Sequence, residues 1–325
     1  MRSFRKKFIV LAFLLALGAG KGTGLFAQGY PVLDVANLMQ AIETVYQYYQ
    51  QVQNTIEQVQ NTYRQIEQAA EQVKEINFDD LSSLGNNFDG VKDNPFELIT
   101  ATRNSAQDIT RVVNQQMNLV NELQDSLTNE QIKIGNKYYS AADLAGAGGE
   151  GKGLFGATKS AWEWTKEQCH EAAKGYEGEL TYAEKQAIAR QYGMSARNYA
   201  TLELANTELK NGVNNAIILG TKEAQKRRLE EIEANDAVMK KIAKNSPNNS
   251  MYAATQMTNS SLGILNRMVG RFYNSMANTA GMLANHFKDE EAREQIKTME
   301  QRDKEKLEKK GINTKGLDID ASSLM

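Results

Sequence analysis

Gly146-Ala147-Gly148-Gly149-Glu150-Gly151-Lys152 has the spacing of a phosphate-binding loop as far as its lysine. Such a loop cradles phosphates on its backbone amides, and a Ser or Thr after the lysine holds Mg²⁺. Position 153 is Gly, and no apolar strand precedes the string, so it is expected to be a flexible connector rather than a nucleotide site. Cys169, His170 and His286 are the chain's only thiol and imidazoles. Adjacent residues on a helix diverge, so Cys169 and His170 cannot share a metal with good geometry, and no second Cys/His pair exists. A Cys–His nucleophile pair would need His286 brought alongside from a distant segment, which nothing in the sequence supports. The many carboxylates lie on highly charged helical stretches and are expected to form solvated faces. No catalytic constellation, metal set or cofactor motif is expected, and the protein is expected not to be an enzyme.

A lone cysteine excludes an internal disulfide framework. Cys169 is expected to be a buried thiol on a helix face, with an intermolecular disulfide as the alternative. The net charge of −2 gives no case for direct nucleic-acid binding.

The N-terminus has the layout of a secretory signal: Arg2, Arg5, Lys6 and Lys7, an apolar run from Phe8 to Leu17, then small residues. The expected cut lies between Ala27 and Gln28, with Ala19 as an alternative exit and an uncleaved anchor as the competing reading. No cysteine near the cut suits a lipid anchor, and no later segment reads as a transmembrane span. Cleavage would remove five basic residues and no acidic one, leaving a charge of about −7.

The elements that must position these groups are helices. From Val35 to Val73 apolar residues recur at intervals of three and four: Val35, Leu38, Ile42, Val45, Tyr49, Val52, Ile56, Val59, Tyr63, Ile66, Ala70 and Val73. A repeat of about 3.5 residues over that length predicts one long helix, roughly 60 Å, burying a narrow stripe. Asp34 can cap it after Pro31. Asn94, Pro95 and Glu97 form the start signal of a second helix, expected to reach Leu127 and to pair antiparallel with the first. Its stripe is Ile99, Ala106, Ile109, Val113, Val120, Leu123 and Leu127, with Thr102 and Gln116 at two weak positions. The 77–94 linker is rich in turn formers.

Residues 128–180 are expected to form a Gly-rich connector and a small appendage whose short helix carries both tryptophans and ends near Gly175. Trp162 and Trp164 are candidate contact residues there, the alternative being that both rings pack the appendage onto the body. Thr181 and Glu184 make a capping box for a helix continuing to about Ala243, with Leu202, Leu204, Leu209, Val213, Ile217, Ile218 and Leu219 packing and a bend at Gly220. Pro247, in a run of Asn and Ser, separates it from the last long helix.

That helix carries Leu262, Leu265, Val269, Phe272, Met276, Ala280, Leu283 and Phe287, with Gly263, Gly270, Ala277 and Gly281 expected to permit close helix approach. Lys288–Lys310 is charged on nearly all sides, Gly311 is an expected stop, and a mobile tail follows. Arg267, Arg271, Asn266, Asn274, Asn278 and Asn285 interrupt Leu262–Phe287, so packing is expected there, with membrane entry as the alternative. Only Gln131–Ile134 and Tyr138–Tyr139 suggest strands. The expected fold is all-α: an elongated bundle of three to four long helices with coiled-coil-like seams and a small inserted appendage. Its parts are a signal peptide (1–27), a helical hairpin (28–127), the connector and appendage (128–180), completing helices (181–310) and a tail (311–325).

Pro31-Val32-Leu33-Asp34-Val35-Ala36-Asn37-Leu38, followed by a Gln-rich helix, resembles the start of the TrbJ family of conjugative-transfer proteins. The likeness extends to the Gln/Asn-rich second helix and the tract from Asn249 to Leu265. It implies an exported minor pilus component of a type IV secretion system, acting in pilus assembly or recipient-cell contact. Expected partners are pilus subunits, other secretion components and the recipient surface; the expected location is the periplasm, then the pilus or cell surface. The family offers no active-site residues to carry over. Two other classes fit the composition: a secreted pore-former inserting Leu262–Phe287, and a periplasmic helical scaffold or chaperone.

Overall fold

The computed structural model describes residues 35–75, 95–146, 153–245 and 250–311. The signal sequence with Ala27 and Gln28, Asp34, the 77–94 linker, the loop from Ala147 to Lys152, Pro247 and the tail after Gly311 lie outside the described residues, as do the side chains of Ala70, Val73, Ile99, Thr102 and Ala106. The chain divides into two units. One is Val35–Met299; of the other, which joins Glu300–Met325 to Met1–Asp34, residues 300–311 are described.

The described residues are helical save for turns and one hairpin. In order they are α1 (Val35–Glu75), α2 (Pro95–Thr128), β1 (Gln131–Ile134), β2 (Lys137–Ser140), α3 (Ala141–Ala145), α4 (Gly153–Glu179), α5 (Tyr182–Tyr192), α6 (Ala196–Asn214), a π-helical turn (Asn215–Leu219), α7 (Gly220–Asn245) and α8 (Ser250–Lys309). The heptad stripe of α1 is buried within this one chain: Leu38, Val45, Val52, Ile56, Val59, Tyr63 and Ile66 are at most 4% exposed. Ile42 and Tyr49 are half-buried. Val35 departs from the expected stripe at 57% exposed. Beyond it the start of α1 faces α8 across an open groove lined by polar side chains such as Asn37, Gln40, Asn274 and Asn278 together with Ala41, Tyr48 and Met282.

The second stripe is wider than a heptad seam. Val112, Gln116 and Leu119 are buried beside Ile109, Val113, Val120, Leu123 and Leu127. The extra width follows from packing on two sides, with α1 on one and α7 and α8 on the other. All eight stripe residues of α8, from Leu262 to Phe287, are buried. Each fully buried aliphatic or aromatic side chain contributes about 1.5–3 kcal/mol, whereas an exposed ion pair such as Arg111–Asp108 adds at most about 1. Stability therefore resides in the stripes. The small-residue expectation for α8 fails at Gly263 and Gly281, where a Cβ would meet nothing; only Gly270 sits close to a neighbour, the Gln225 amide.

The helix expected from Thr181 to Ala243 is interrupted. The Thr181–Glu184 capping box forms, but Gly193 adopts a left-handed conformation (φ 62°) and ends α5, its N–H donating to the Ala189 carbonyl. Ser195 then caps α6 by accepting from Asn198 N–H. The π-helical turn shifts the phase of the helix face by its wider turn. Ile217 is buried, Ile218 half-buried, and Leu219, expected to pack, is 57% exposed. Gly220 follows as the first residue of α7.

The two short segments that suggested strands pair as an antiparallel hairpin, Ile134 opposite Lys137 across a Gly135-Asn136 turn. Gly135 has φ 65°, and a Cβ there would lie 2.8 Å from the Ala161 Cβ, so both backbone sign and close packing require glycine. Ser140 ends the hairpin and caps α3 in a capping box with Asp143. The hydrogen bonds from Ser140 hold the Asp143 carboxyl below its ordinary pKa. Residues 300–311 are all exposed, with Lys306 paired to Asp303, and Gly311 (φ 76°) closes the helix by donating to the Glu308 carbonyl.

Candidate functional site

The tryptophans are two residues apart on α4, about 200° around the helix axis. They therefore take opposite roles. Trp162 is 1% exposed and its indole N–H donates to Glu291 on α8 at 3.2 Å. Lys166, one turn on, donates to both Glu291 oxygens at 3.0 and 2.9 Å and pairs with Glu163 at 2.9 Å. Burial pulls the Lys166 pKa down, but the hydrogen bonds and charges of Glu291 and Glu163 outweigh it and leave the ammonium above its ordinary value. Phe155 meets Phe287 edge to face on the same contact. Trp162 is thus an internal anchor of α4 on α8.

Trp164 is 37% exposed and stands between two open clefts. The larger, about 910 Å³, is walled by α4, α6, α8 and the hairpin turn. Trp164, Asn136, Ser160, Asn198, Thr201 and Gln295 line it. Among its charged groups Lys166 is shared by Glu163 and Glu291, Glu171 pairs with Arg197 at 3.5 Å, and Lys137 and Glu167 make no ion pair among the described residues. The smaller, about 510 Å³, lies between the hairpin and α6 beside Glu208 and Gly212.

Polar ties cross the apolar body. Gln116 donates to Asn259, and Asn259 to the Ile232 carbonyl. Arg228, 1% exposed, donates to Asn266 and Glu122; Asn266 donates to the Gln225 carbonyl. Glu122 also accepts from Arg227. Tyr273 donates to the Ser126 carbonyl. Asn259, Asn266 and Tyr273 are seven residues apart, so α8 presents one bonding residue per heptad to α2 and α7. A polar group buried in a seam favours the alignment in which it is satisfied. A sliding of one turn would strand each of them, so these ties select register while the stripes supply stability.

Cys169 is 7% exposed and free, and burial, with a smaller effect of the Glu208 charge, pushes its thiol up to about 11. His170 is exposed beside it, His286 lies 3.9 Å from Glu290, and no hydrogen bond joins Cys169 to His286. Among the described residues no group of three His, Cys, Asp or Glu side chains is placed to hold a metal. No described helix is long and apolar enough to cross a membrane.

Sequence reasoning named both tryptophans but could not divide their roles. It missed Lys166, Glu291, Gln295 and the Arg228–Glu122 pair, because each acts across helices far apart in sequence. The signal for the ties was present at Gln116, a polar residue at a stripe position, and in the heptad spacing of Asn259, Asn266 and Tyr273. No protein-family model, curated protein or solved structure matches the chain.

Proposed function

We propose that this chain is an exported, non-enzymatic minor pilus component of a type IV secretion system, built as a helical bundle and acting by contact in pilus assembly or recipient-cell attachment. The observation that carries the reading is the division of labour on α4: Trp162 is spent inside the body, while Trp164 stands exposed at a polar cleft. Exposed indoles in pockets are efficient anchors for partners. The seams are satisfied within the chain, which frees outer surfaces for pilus subunits and other secretion components. The signal-like N-terminus and the TrbJ-like opening support export and the conjugative setting.

The pore-forming alternative would have to release Leu262–Phe287, whose eight stripe residues are buried and which Asn266, Tyr273 and Asn285 fasten to neighbouring helices. That cost favours a contact role. Deletion of the gene tests the proposal. DNA transfer between cells should fall at least tenfold and return on complementation; unchanged transfer with normal pili would contradict it.

A further inference from the structure

We infer that the 910 Å³ cleft is a saccharide site, in which Trp164 stacks on a sugar ring and Asn136, Asn198 and Gln295 hydrogen-bond its hydroxyls. Three observations converge. The cleft has one large aromatic wall, and an indole offers a flat apolar face of the kind a pyranose ring presents on its C–H side. Its other lining mixes amides and hydroxyls with the charged side chains of Lys137, Glu163, Lys166, Glu167, Glu171 and Glu291, and the side chains of Asn136, Ser160 and Asn198 hydrogen-bond no other described side chain. Amides and hydroxyls of this kind both give and accept, as sugar hydroxyls require.

The third observation concerns groups that are poorly satisfied where they sit. Gln295 Oε1 is buried without a donor, and its Nε2 reaches Glu291 only at 3.5 Å. Beside the cleft, Arg197 Nε is buried without an acceptor, and its Nη2 bonds are long, 3.4 Å to the His170 carbonyl and 3.5 Å to Glu171. Buried polar groups are rarely left unpaired, so both side chains lose little by turning to a ligand that supplies a donor to one and an acceptor to the other. With Arg197 beside it, the cleft sets three cations (Lys137, Lys166, Arg197) against four carboxylates (Glu163, Glu167, Glu171, Glu291); the one net negative charge gives little pull on an ionic ligand, which points to an uncharged oligosaccharide.

The inference deepens the recipient-contact reading and rests on it for where the saccharide is met. The full chain is titrated with chitotriose, maltotriose and cellotriose, followed by tryptophan emission and calorimetry. At least one should bind saturably and shift the emission. By calorimetry, Trp164→Ala should abolish the binding and Gln295→Leu should weaken it at least tenfold; the second variant keeps the test open if the first does not fold. Absence of saturable binding by all three, undiminished binding in the variants, or a response to trilysine in place of the sugars would overturn the inference. If sugar binding fails while gene deletion still abolishes DNA transfer, the saccharide site falls and the contact role stands.

Discussion

Glu291 accepts from three side chains, the buried indole of Trp162, the ammonium of Lys166 and, at 3.5 Å, the Gln295 amide. Removing it strands the indole N–H in the interior. Glu291→Ala should cost about 1–3 kcal/mol, the penalty for an unsatisfied buried donor, seen as a lower urea midpoint. Lys166 retains Glu163, so the loss should fall mainly on the indole. Cys169 gives a second residue-scale test. Its thiol is ordinary at 9.0 when exposed and rises to about 11 in the fold. The unfolded chain releases this proton first, so stability from this group holds below pH 9 and declines as the pH climbs toward 11. At pH 8 the native protein should resist alkylation and react fully in urea. Rapid native-state labelling would contradict the burial.

At the scale of elements, the interruptions matter as much as the helices. Gly193 ends α5 with a backbone conformation that L side chains rarely adopt, and a Cβ there would sit 3.0 Å from Ile296. Gly193→Ala should destabilise by about 1–2 kcal/mol, measured by thermal unfolding; an unchanged melting temperature would show that the turn can relax. The Arg228 tie joins α7 to both α2 and α8. Arg228→Ala leaves Glu122 and Asn266 without that donor and should cost about 3 kcal/mol, the low end for a broken buried pair because Glu122 is 31% exposed and keeps Arg227. A double-mutant cycle with Glu122→Gln should report coupling between the two. These elements also show what the sequence could reveal. The α1 and α8 stripes were legible because a local period marks which face is buried, and the Thr181–Glu184 capping box is local as well; the Ser195 cap lay inside a stretch expected to be one helix and was missed. Gly193 was missed because a single glycine inside a helical pattern does not declare its sign of φ. The phase shift after Asn215 was missed because a π-helical turn leaves no periodic mark of its own.

Among the described residues as a whole, α8 is the common partner: it bonds α2, α4, α6 and α7 and sets Phe272 at a tilt against Tyr49 of α1. This explains why stripe residues could be named in advance but their partners could not. Period tells which side of a helix is inside; it does not tell which helix lies across from it. Trp162 and Trp164 show the same limit, since their opposite fates follow from where α8 and the hairpin lie. The proposed contact role makes the exposed tryptophan the place where the molecule should meet its surroundings. The direct measurement is site-specific photocrosslinking in intact cells, with a photoreactive amino acid at position 164 and a control at position 236 on α7, which is half-exposed as Trp164 is. The account predicts adducts with identified pilus or recipient-surface components at 164 and none of these at 236. Crosslinking of those components at neither position, or equally at both, would contradict it.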